Sequence, residues 1–250
     1  MHTERKEFLG VLFDCVAVDE LLSHLSSVTP ESPYSYLVTP NVDHLVRLHS
    51  SAATIPGLAE AYRRSAICLC DSKVLSGLGR WCGVDLPVIP GSDLSLLLFD
   101  RVIEAGDRIG VVGGGRDMID KLRQTYPQLE IVHHDAPMGL AADPSARSEA
   151  ARFVVEQNAR FTFVCVGSPQ QELIAAEAGG LDASRGTALC VGASLEFITG
   201  HQRRAPKLLR HLRLEWGYRL CTSPRRLWRR YLVHGPKIFT MAYSWRRGRK

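Results

Sequence analysis

The sequence predicts an α/β fold with a mostly parallel sheet, helices on both faces and a basic helical appendage at the C-terminal end. Short runs of β-branched and other apolar residues alternate with helical patterns along the chain. Several runs end on a glycine or a polar turn, as buried parallel strands do. The last fifty residues hold 15 of the 31 Lys and Arg residues and a single acid, Glu215. These observations together indicate a Rossmann-like sheet followed by a segment of different character.

The composition is that of an ordinary globular chain, with 45% hydrophobic residues. We expect no signal peptide, because residues 1–14 contain charges and no apolar stretch. No apolar run approaches the roughly 18 residues that a membrane-spanning helix needs, so a cytoplasmic protein is expected. The seven cysteines show no C-x-x-C pair and no zinc spacing. They are interpreted as reduced, mostly buried thiols.

Seven apolar runs of strand length are spaced along the first 200 residues, with amphipathic helical patterns between them. This alternation predicts parallel strands joined by right-handed helical crossovers. The first helix is predicted over Asp19–Ser26. The predicted strands are Phe8–Phe13, Tyr34–Val38, Ala66–Cys70, Arg108–Val112, Leu129–His133, Phe161–Val166 and Thr187–Val191.

The strand that ends at Val38 is followed by Thr39-Pro40-Asn41 and then by a helical pattern. Proline keeps the residue before it extended, so Thr39 and Asn41 lie at a strand-to-helix corner. Two interpretations are open. The pair caps the helix, or it presents a hydroxyl and an amide to a ligand beyond the carboxyl ends of the strands, where open α/β sheets bind ligands.

Asp71 ends the run Ala66–Cys70, and Ser72 opens the next helical pattern. An aspartate in this place can cap a helix. It can also serve as a general base at the mouth of a parallel strand. These residues by themselves leave both interpretations open.

Arg108–Val112 leads into Gly113-Gly114-Gly115 and then into a helical pattern. Such a turn can direct backbone N–H groups and a helix N-terminus at an anion. Met118 stands where a dinucleotide fingerprint has its last glycine, so the turn indicates phosphate binding more than dinucleotide binding. The pair His133-His134 that ends the next strand has no metal-ligand spacing, and no metal or cofactor is expected.

The sixth apolar run ends on Gly167 and is followed by the polar string Ser168-Pro169-Gln170-Gln171-Glu172. Ser168 is predicted to be the N-cap of a helix and Pro169 its first residue. That places Gln171 and Glu172 in the first turn, as exposed polar residues that can face a ligand. The last apolar run also ends on a glycine, so we expect both turns on one rim of the sheet.

A boundary is predicted at Arg203, between a main domain (residues 1–202) and a C-terminal appendage (residues 203–250). The last fifty residues carry a net charge of +14, whereas the first 200 hold 16 basic and 25 acidic residues. Helical segments are predicted to start at Pro206, Pro224 and Pro236, with arginines alternating with Trp, Tyr and Leu. Basic amphipathic helices of this kind suit an anionic membrane surface. The alternative is a helical hairpin packed on the main domain with a solvated arginine face.

Taken in order, the motifs resemble the WecG/TagA/CpsF family of bacterial glycosyltransferases. The resemblance covers nearly the whole chain. In its second half it rests on G-S-P-x-Q-E at 167–172, V-G-A at 191–193, R-A-P at 204–206, Glu215-Trp216, Arg219-Leu220, Pro224 and Arg229-Arg230-Tyr231. Upstream it includes Thr39-Pro40-Asn41, Asp71, Pro90-Gly91-Ser92-Asp93 and Gly113–Gly115.

The resemblance implies an inverting, metal-independent glycosyltransferase. It would move a sugar from a UDP-sugar to an undecaprenyl-diphosphate-linked acceptor during synthesis of a cell-surface polysaccharide, such as an exopolysaccharide or a teichoic acid. N-acetylmannosamine is the best match for the sugar, and glucosyl or uronosyl transfer is the alternative. The enzyme would be peripheral on the inner face of the plasma membrane, in contact with anionic lipid.

The same resemblance implies a role for each candidate site residue. Asp71 is expected to be the general base, with Thr39 and Asn41 orienting the sugar. The residues expected to hold nucleotide or sugar are Gly113, Gly114, Gly167, Gln171 and Glu172. The cations expected at the substrate are Arg203, Arg204, Arg219, Arg226 and Arg229.

Two positions depart from the family pattern. Ser72 stands where a glycine usually follows the aspartate. Val88 stands where many members have an arginine that can meet the diphosphate. We therefore expect the appendage to supply the missing cation, chiefly from Arg219, Arg226 and Arg229.

Parts of the sequence also fit two other classes of protein. The basic appendage suggests a nucleic-acid-binding protein, because arginines and aromatic rings serve phosphate contacts and stacking. Its arginines alternate with large apolar residues at helical spacing and form no known nucleic-acid motif, so no nucleic acid is expected as a partner. The turn Gly113–Gly115 suggests a nicotinamide oxidoreductase, which would need the rest of the fingerprint.

Overall fold

The computed structural model of the chain describes residues 3–51, 55–137, 139–140, 143–182, 184–202, 206 and 215–248. In these residues the predicted α/β fold is confirmed, with a six-stranded parallel sheet flanked by helices. Over the same ranges no helix combines the length and the apolar character needed to cross a membrane.

The elements follow the predicted alternation from the second predicted strand onward. The strands are β1 (Glu4–Phe8), β2 (Val11–Cys15), β3 (Ser35–Val38), β4 (Ile67–Cys68), β5 (Arg108–Val112), β6 (Glu130–His134), β7 (Phe161–Val164) and β8 (Thr187–Cys190). The helices of the main domain are α1 (Val18–Ser26), α2 (Val42–Ser51), α3 (Leu58–Arg64), α4 (Lys73–Trp81), α5 (Gly91–Arg101), α6 (Arg116–Thr125), α7 (Pro144–Glu156), α8 (Gln170–Ala178) and α9 (Ser194–Ile198). The C-terminal helices are α10 (Glu215–Thr222), α11 (Pro224–Trp228) and α12 (Lys237–Gly248), and a π-helical turn, Arg229–His234, joins α11 to α12.

The parallel sheet has the order β4-β3-β8-β7-β5-β6. Successive side chains of a strand point to opposite faces, and here both faces are apolar. In β3, Leu37 belongs to the apolar cluster that includes residues of α1, α5, α6 and α9, whereas Tyr36 and Val38 belong to the cluster that includes residues of α2, α3, α7 and α8. This burial on both faces is why the strands appear in the sequence as continuous apolar runs.

The prediction of a single strand over Phe8–Phe13 is wrong. The chain forms an antiparallel hairpin of β1 and β2, in which Phe8 pairs with Val11. Leu9 and Gly10 make the turn with φ angles of 51° and 70°, and positive φ at both central residues matches the twist of a hairpin. The apolar run continues through the turn because the side chains on both sides of it are buried in one core.

The hairpin covers the outer edge of β4. The buried carboxylate of Asp14 in β2 accepts a hydrogen bond from the Cys68 backbone N–H at 2.8 Å. It also pairs with Arg5, whose Nε lies 3.0 Å from Oδ1. An exposed strand edge invites pairing with other chains, and Asp14 occupies one of the donors that β4 would otherwise leave open.

Helix α12 is packed on the main domain. Ile238 and Ala242 are buried in the same core as the hairpin, and the Trp245 ring meets Phe8 edge-to-face at 5.2 Å between centroids. The interpretation of a helical segment packed on the domain therefore holds for α12. The boundary between residues 202 and 203 stays a prediction.

A buried arginine connects several elements at the end of the sheet where the strands begin. Arg160 precedes β7, and its guanidinium donates to the backbone oxygens of Ser26 (3.0 Å), Val28 (2.8 Å) and Val102 (3.1 Å). It also pairs with Asp107 at 2.7 Å. One side chain thus satisfies backbone carbonyls at the C-terminal ends of α1 and α5.

We expect Arg160→Ala to lower the free energy of unfolding by about 3–5 kcal/mol, the usual cost of leaving one member of a buried ion pair alone. Chemical denaturation checks this. The matched control is Arg101→Ala, which removes exposed ion pairs at 3.6 and 3.8 Å and should change the stability by no more than about 0.5 kcal/mol. Equal effects of the two substitutions would contradict the role given to Arg160.

Candidate functional site

The polar turns selected from the sequence meet at one edge of the sheet. Because the strands are parallel, Thr39, Asp71, Gly113, Gly167 and Gly192 all follow the carboxyl ends of their strands. We call this the carboxyl edge. β5 connects to β6 on one side and β7 to β8 on the other, so the topological switch point lies between β5 and β7. Open α/β sheets bind their ligands at such a point.

Two glycine turns flank the switch point. Gly113 has φ 79°, and a Cβ there would lie 2.5 Å from Cγ1 of Val166, so the turn needs glycine for its conformation and for its close approach to the chain after β7. Gly114 also has φ 79°, and the chain continues into α6. Gly167 has φ 75°. The two turns therefore lie side by side, and the turn at Gly113 and Gly114 leads directly into the N-terminus of α6.

Asp71 is half-buried beside the end of β3. Its backbone N–H donates to the Pro40 oxygen at 3.0 Å. Ser72, and not Asp71, is the N-cap of α4, because its hydroxyl accepts from the Leu75 N–H at 3.2 Å. Burial raises the pKa of the neighbouring Cys70 thiol to about 12. The group suited to proton transfer at this position is thus the Asp71 carboxylate.

Thr39 and Asn41 have different surroundings. Thr39 is 3% exposed, and its hydroxyl donates to the Cys190 backbone oxygen at 3.0 Å. Asn41 is half-buried, and its side-chain oxygen accepts from the Asp43 N–H at 3.0 Å, so the capping interpretation describes this oxygen. Thr39 joins β3 to β8 and does not open onto the rim.

Val88 lies directly beside Asp71. It forms a parallel bridge with Cys70, and the Ile89 N–H donates to the Cys70 oxygen at 3.0 Å. The position where many family members have an arginine is therefore next to the candidate base. In this chain that position is half-buried and apolar.

The helix that follows Gly167 begins later than predicted. The first residue of α8 is Gln170, Pro169 is its N-cap, and the Ser168–Pro169 peptide bond is cis. The predictions of Ser168 as N-cap and of Pro169 as first helical residue are therefore wrong. The Gln171 N–H donates to the Gly167 oxygen at 3.0 Å, so the turn closes on Gly167.

The prediction that Gln171 and Glu172 are exposed is also wrong, because their exposed fractions are 1% and 0%. The Gln171 amide oxygen accepts from the Gly192 N–H at 3.0 Å. Its nitrogen donates to Glu172 Oε1 at 2.8 Å and to the Cys190 oxygen at 3.4 Å. Helix α8 is packed between the sheet and helices α3 and α7, so Gln171 and Glu172 face the interior of the protein.

The Glu172 carboxylate lies in a small buried polar group. Its Oε1 accepts from the Tyr62 hydroxyl at 3.3 Å and lies 3.8 Å from His44 Nδ1. Burial raises the pKa of Glu172, while hydrogen bonds, from Gln171 first, oppose that rise. Burial also raises the pKa of the Tyr62 hydroxyl, which stays protonated as a donor.

The structure describes only part of the predicted cation set. Arg203 and Arg204 lie outside the described residues. Arg219 lies in α10 and Arg226 in α11, but their side chains lie outside the description. Arg229 is exposed, and its guanidinium carbon is 5.3 Å from the centre of the Trp228 ring.

Sequence reasoning missed one cation and one cleft. Arg47 donates to the Ser168 backbone oxygen at 2.8 Å and pairs with Asp43 at 3.0 Å, and the spacing of four residues from Asp43 was the available signal.

A cleft of about 610 Å³ lies between the end of α9 and the start of α11, and no sequence motif indicated it. It is lined by Glu196, His201, Gln202, Ser223, Pro224 and Arg225. Over the described ranges, no three His, Cys, Asp or Glu side chains are grouped to hold a metal ion.

An open parallel sheet with glycine turns at its switch point and a carboxylate at the same edge is typical of enzymes that act on nucleotide substrates. The chain belongs to the glycosyl transferase WecG/TagA/CpsF family, whose sequence model matches residues 6–250. The protein is thus a glycosyltransferase of cell-surface polysaccharide synthesis, which uses a nucleotide-sugar donor and a glycan acceptor. Membership in this family favours the enzyme over the nucleic-acid-binding protein and the nicotinamide oxidoreductase.

We expect Gln171→Ala to lower the free energy of unfolding by about 2 kcal/mol, because it leaves buried hydrogen-bonding groups without their partner. Turnover should fall as well. Thermal unfolding and an assay of donor consumption check this. Gln124→Ala, an exposed glutamine of α6, is the control and should leave both unchanged. Full stability of the Gln171 variant would contradict the burial described here.

Proposed function

We propose that this glycosyltransferase moves an N-acetylhexosamine, with N-acetylmannosamine as the best candidate, from a UDP-sugar to a sugar linked to undecaprenyl diphosphate. Glucosyl or uronosyl transfer is the alternative. The observation that carries the proposal is the place of Asp71 on the carboxyl edge. Its N–H is held by Pro40, the helix after it is capped by another residue, and it is adjacent to the family's arginine position.

In the proposed reaction Asp71 is the general base. Its carboxylate takes the proton of the acceptor hydroxyl while that oxygen attacks the anomeric carbon, and the bond from this carbon to UDP breaks with inversion. A positioned base of this kind contributes about 10²–10⁴ in rate. The departing diphosphate gains negative charge, which backbone N–H groups and cations stabilise.

The other candidates are assigned around this step. Gly113, Gly114 and Gly167 are proposed to approach the donor diphosphate at the switch point. Asn41 is proposed to orient the sugar, and Thr39 to fix the corner that carries Asn41. Metal is not required in this scheme, because the leaving group is met by protein groups.

The C-terminal appendage is proposed to bind anionic lipid on the inner face of the plasma membrane. Large apolar side chains are exposed along it, at fractions of 40–57%, and exposed basic residues alternate with them. Each Lys or Arg near such a surface contributes about 1 kcal/mol. The exposed apolar residues are Trp216, Trp228, Leu232, Val233, Phe239 and Tyr243.

The appendage is also proposed to supply the cation that Val88 does not, from Arg219, Arg226 and Arg229, with Arg203 and Arg204 in support. The contact of α12 with the main domain keeps the appendage on the body of the enzyme. A site completed beside the membrane would limit hydrolysis of the donor away from its lipid-linked acceptor.

The donor is tested by measuring UDP release with analogues of undecaprenyl-diphosphate-linked sugars as acceptors. UDP-N-acetylmannosamine, its uronic acid and UDP-glucose are compared at equal concentration. The highest kcat/KM is expected with UDP-N-acetylmannosamine. A higher value for UDP-glucose or the uronic acid would overturn the sugar assignment, and no release with any of the three would overturn UDP-sugar transfer.

We expect Asp71→Asn to lower turnover by about 10²–10⁴ while the affinity for UDP and the unfolding temperature stay near their wild-type values. Steady-state kinetics, calorimetry with UDP and thermal unfolding measure the three quantities. Asp85→Asn, an exposed aspartate paired weakly with Arg80 at 3.7 Å, is the control. Turnover of the Asp71 variant within a few-fold of wild type would rule out Asp71 as the base.

Replacing Phe239 and Tyr243 together by serine should lower binding to vesicles that contain phosphatidylglycerol by about tenfold, because exposed aromatic residues enter the lipid interface. Both are more than half exposed and four residues apart on α12. Flotation measures the bound fraction. Leu12→Ser, an exposed apolar residue of the hairpin (45%), is the control. Unchanged flotation of the double variant would exclude this surface from lipid binding.

A further inference from the structure

Glu172 is a carboxylate that takes no part in any step of the proposed reaction. It has no exposed surface, so it does not reach a ligand at the carboxyl edge. Burying a charged group costs free energy unless it is paired and hydrogen-bonded, and here burial raises its pKa. The groups that this buried carboxylate contacts should therefore explain why it is present.

The strongest contact of Glu172 is with its neighbour in α8. Gln171 Nε2 lies 2.8 Å from Glu172 Oε1, and the Gln171 amide oxygen accepts from the Gly192 N–H at 3.0 Å. If the amide were turned over, its oxygen would face the carboxylate oxygen and its NH₂ would face the N–H of Gly192. Both contacts would be repulsive, so Glu172 sets the orientation of the Gln171 amide.

Through that amide Glu172 is connected to the candidate base. Gln171 and Thr39 both donate to the Cys190 backbone oxygen, at 3.4 and 3.0 Å. Pro40, the residue after Thr39, accepts from the Asp71 N–H at 3.0 Å. The chain of contacts thus runs from α8 across the ends of β8 and β3 to the turn after β4.

We propose that Glu172 is a positioning residue for glycosyl transfer, which acts by fixing the Gln171 amide and, through it, the Gly192 turn and the corner that holds Asp71. It does not contact substrate. This inference rests on the proposed role of Asp71. It differs from the expectation that Glu172 binds nucleotide or sugar directly.

The groups that face Glu172 come from three elements. They are Tyr62 of α3, His44 of α2, and Gln171 with Ser168 at the start of α8. Tyr62 and Gln171 donate hydrogen bonds to the same carboxylate oxygen, Oε1. An amide oxygen at this place can accept both bonds, whereas a side chain shorter by one methylene withdraws from both. Substitutions of Glu172 can therefore separate the effect of the side chain's position from the effect of its charge.

The test compares Glu172→Gln with Glu172→Asp. Positioning predicts that Glu172→Gln keeps kcat within about threefold, and that Glu172→Asp, which keeps the charge but loses the contact, lowers kcat by about 30-fold, since a misplacement of 1 Å can cost about 10². KM for UDP-N-acetylmannosamine should change by less than about threefold in both. The reverse order would show that the charge itself is required and would overturn the proposal.

Kinetics are expressed per folded enzyme, so that lost stability is not counted as lost turnover. If both variants are less stable but have wild-type kcat, Glu172 is only structural and the proposal fails. The control is Glu177→Asp, at the other end of α8, where the carboxylate pairs with Arg147 at 2.8 Å. It should keep wild-type kcat.

A second measurement needs no substrate. Hydrogen exchange of the segment 187–196 reports the Gly192 amide, which should exchange at least about tenfold faster in Glu172→Asp and at the wild-type rate in Glu172→Gln. Equal exchange in the two variants would overturn the positioning role. If the wild-type protein released no UDP from any UDP-sugar, the proposed function would fall, and this measurement would still decide whether Glu172 holds the turn.

Discussion

The backbone oxygen of Cys190 is the point on which the arrangement of the carboxyl edge depends. It lies at the end of β8, in the middle of the sheet, and it accepts from the Thr39 hydroxyl and from the Gln171 amide. Both donors are buried, so water does not compete for these bonds. The ends of β3 and β8 and the start of α8 are thereby joined. The Pro40 oxygen, just after β3, accepts from the backbone N–H of Asp71, the candidate base that follows β4.

Arg160, where the strands begin, is more deeply buried than Asp71 and Asn41 at the carboxyl edge. Both faces are apolar and covered by helices, so the polar groups that connect strands to helices collect at the edges. At the edge where the strands begin, Arg160 is buried and occupied by three backbone oxygens and Asp107. At the carboxyl edge, Asp71 and Asn41 are only half-buried. The arginine at the first edge is thus enclosed by protein, and the second edge leaves two polar side chains partly open to solvent.

Elements could be predicted from the sequence where the pattern that defines them lies in neighbouring residues. The strands over Arg108–Val112 and Phe161–Val164 follow from continuous apolar runs, and the turn at Gly113 follows from its glycines. The hairpin was missed because Leu9-Gly10 is not a usual hairpin pair and apolar residues continue through it. The burial of Glu172 was missed because it depends on Tyr62 and His44, more than 100 residues away in the sequence. The partner of Thr39 is likewise 151 residues distant, and no periodicity reports a contact of that kind.

The contact between Phe8 and Trp245 has a consequence for how the protein is made. The two rings come from the first strand and from α12, so the contact cannot form until residue 245 has left the ribosome. Until then the apolar residues that α12 covers face solvent on the growing chain. Contacts between residues so distant in the chain form slowly, which makes this interval a time when nascent chains would associate with one another or be held by chaperones.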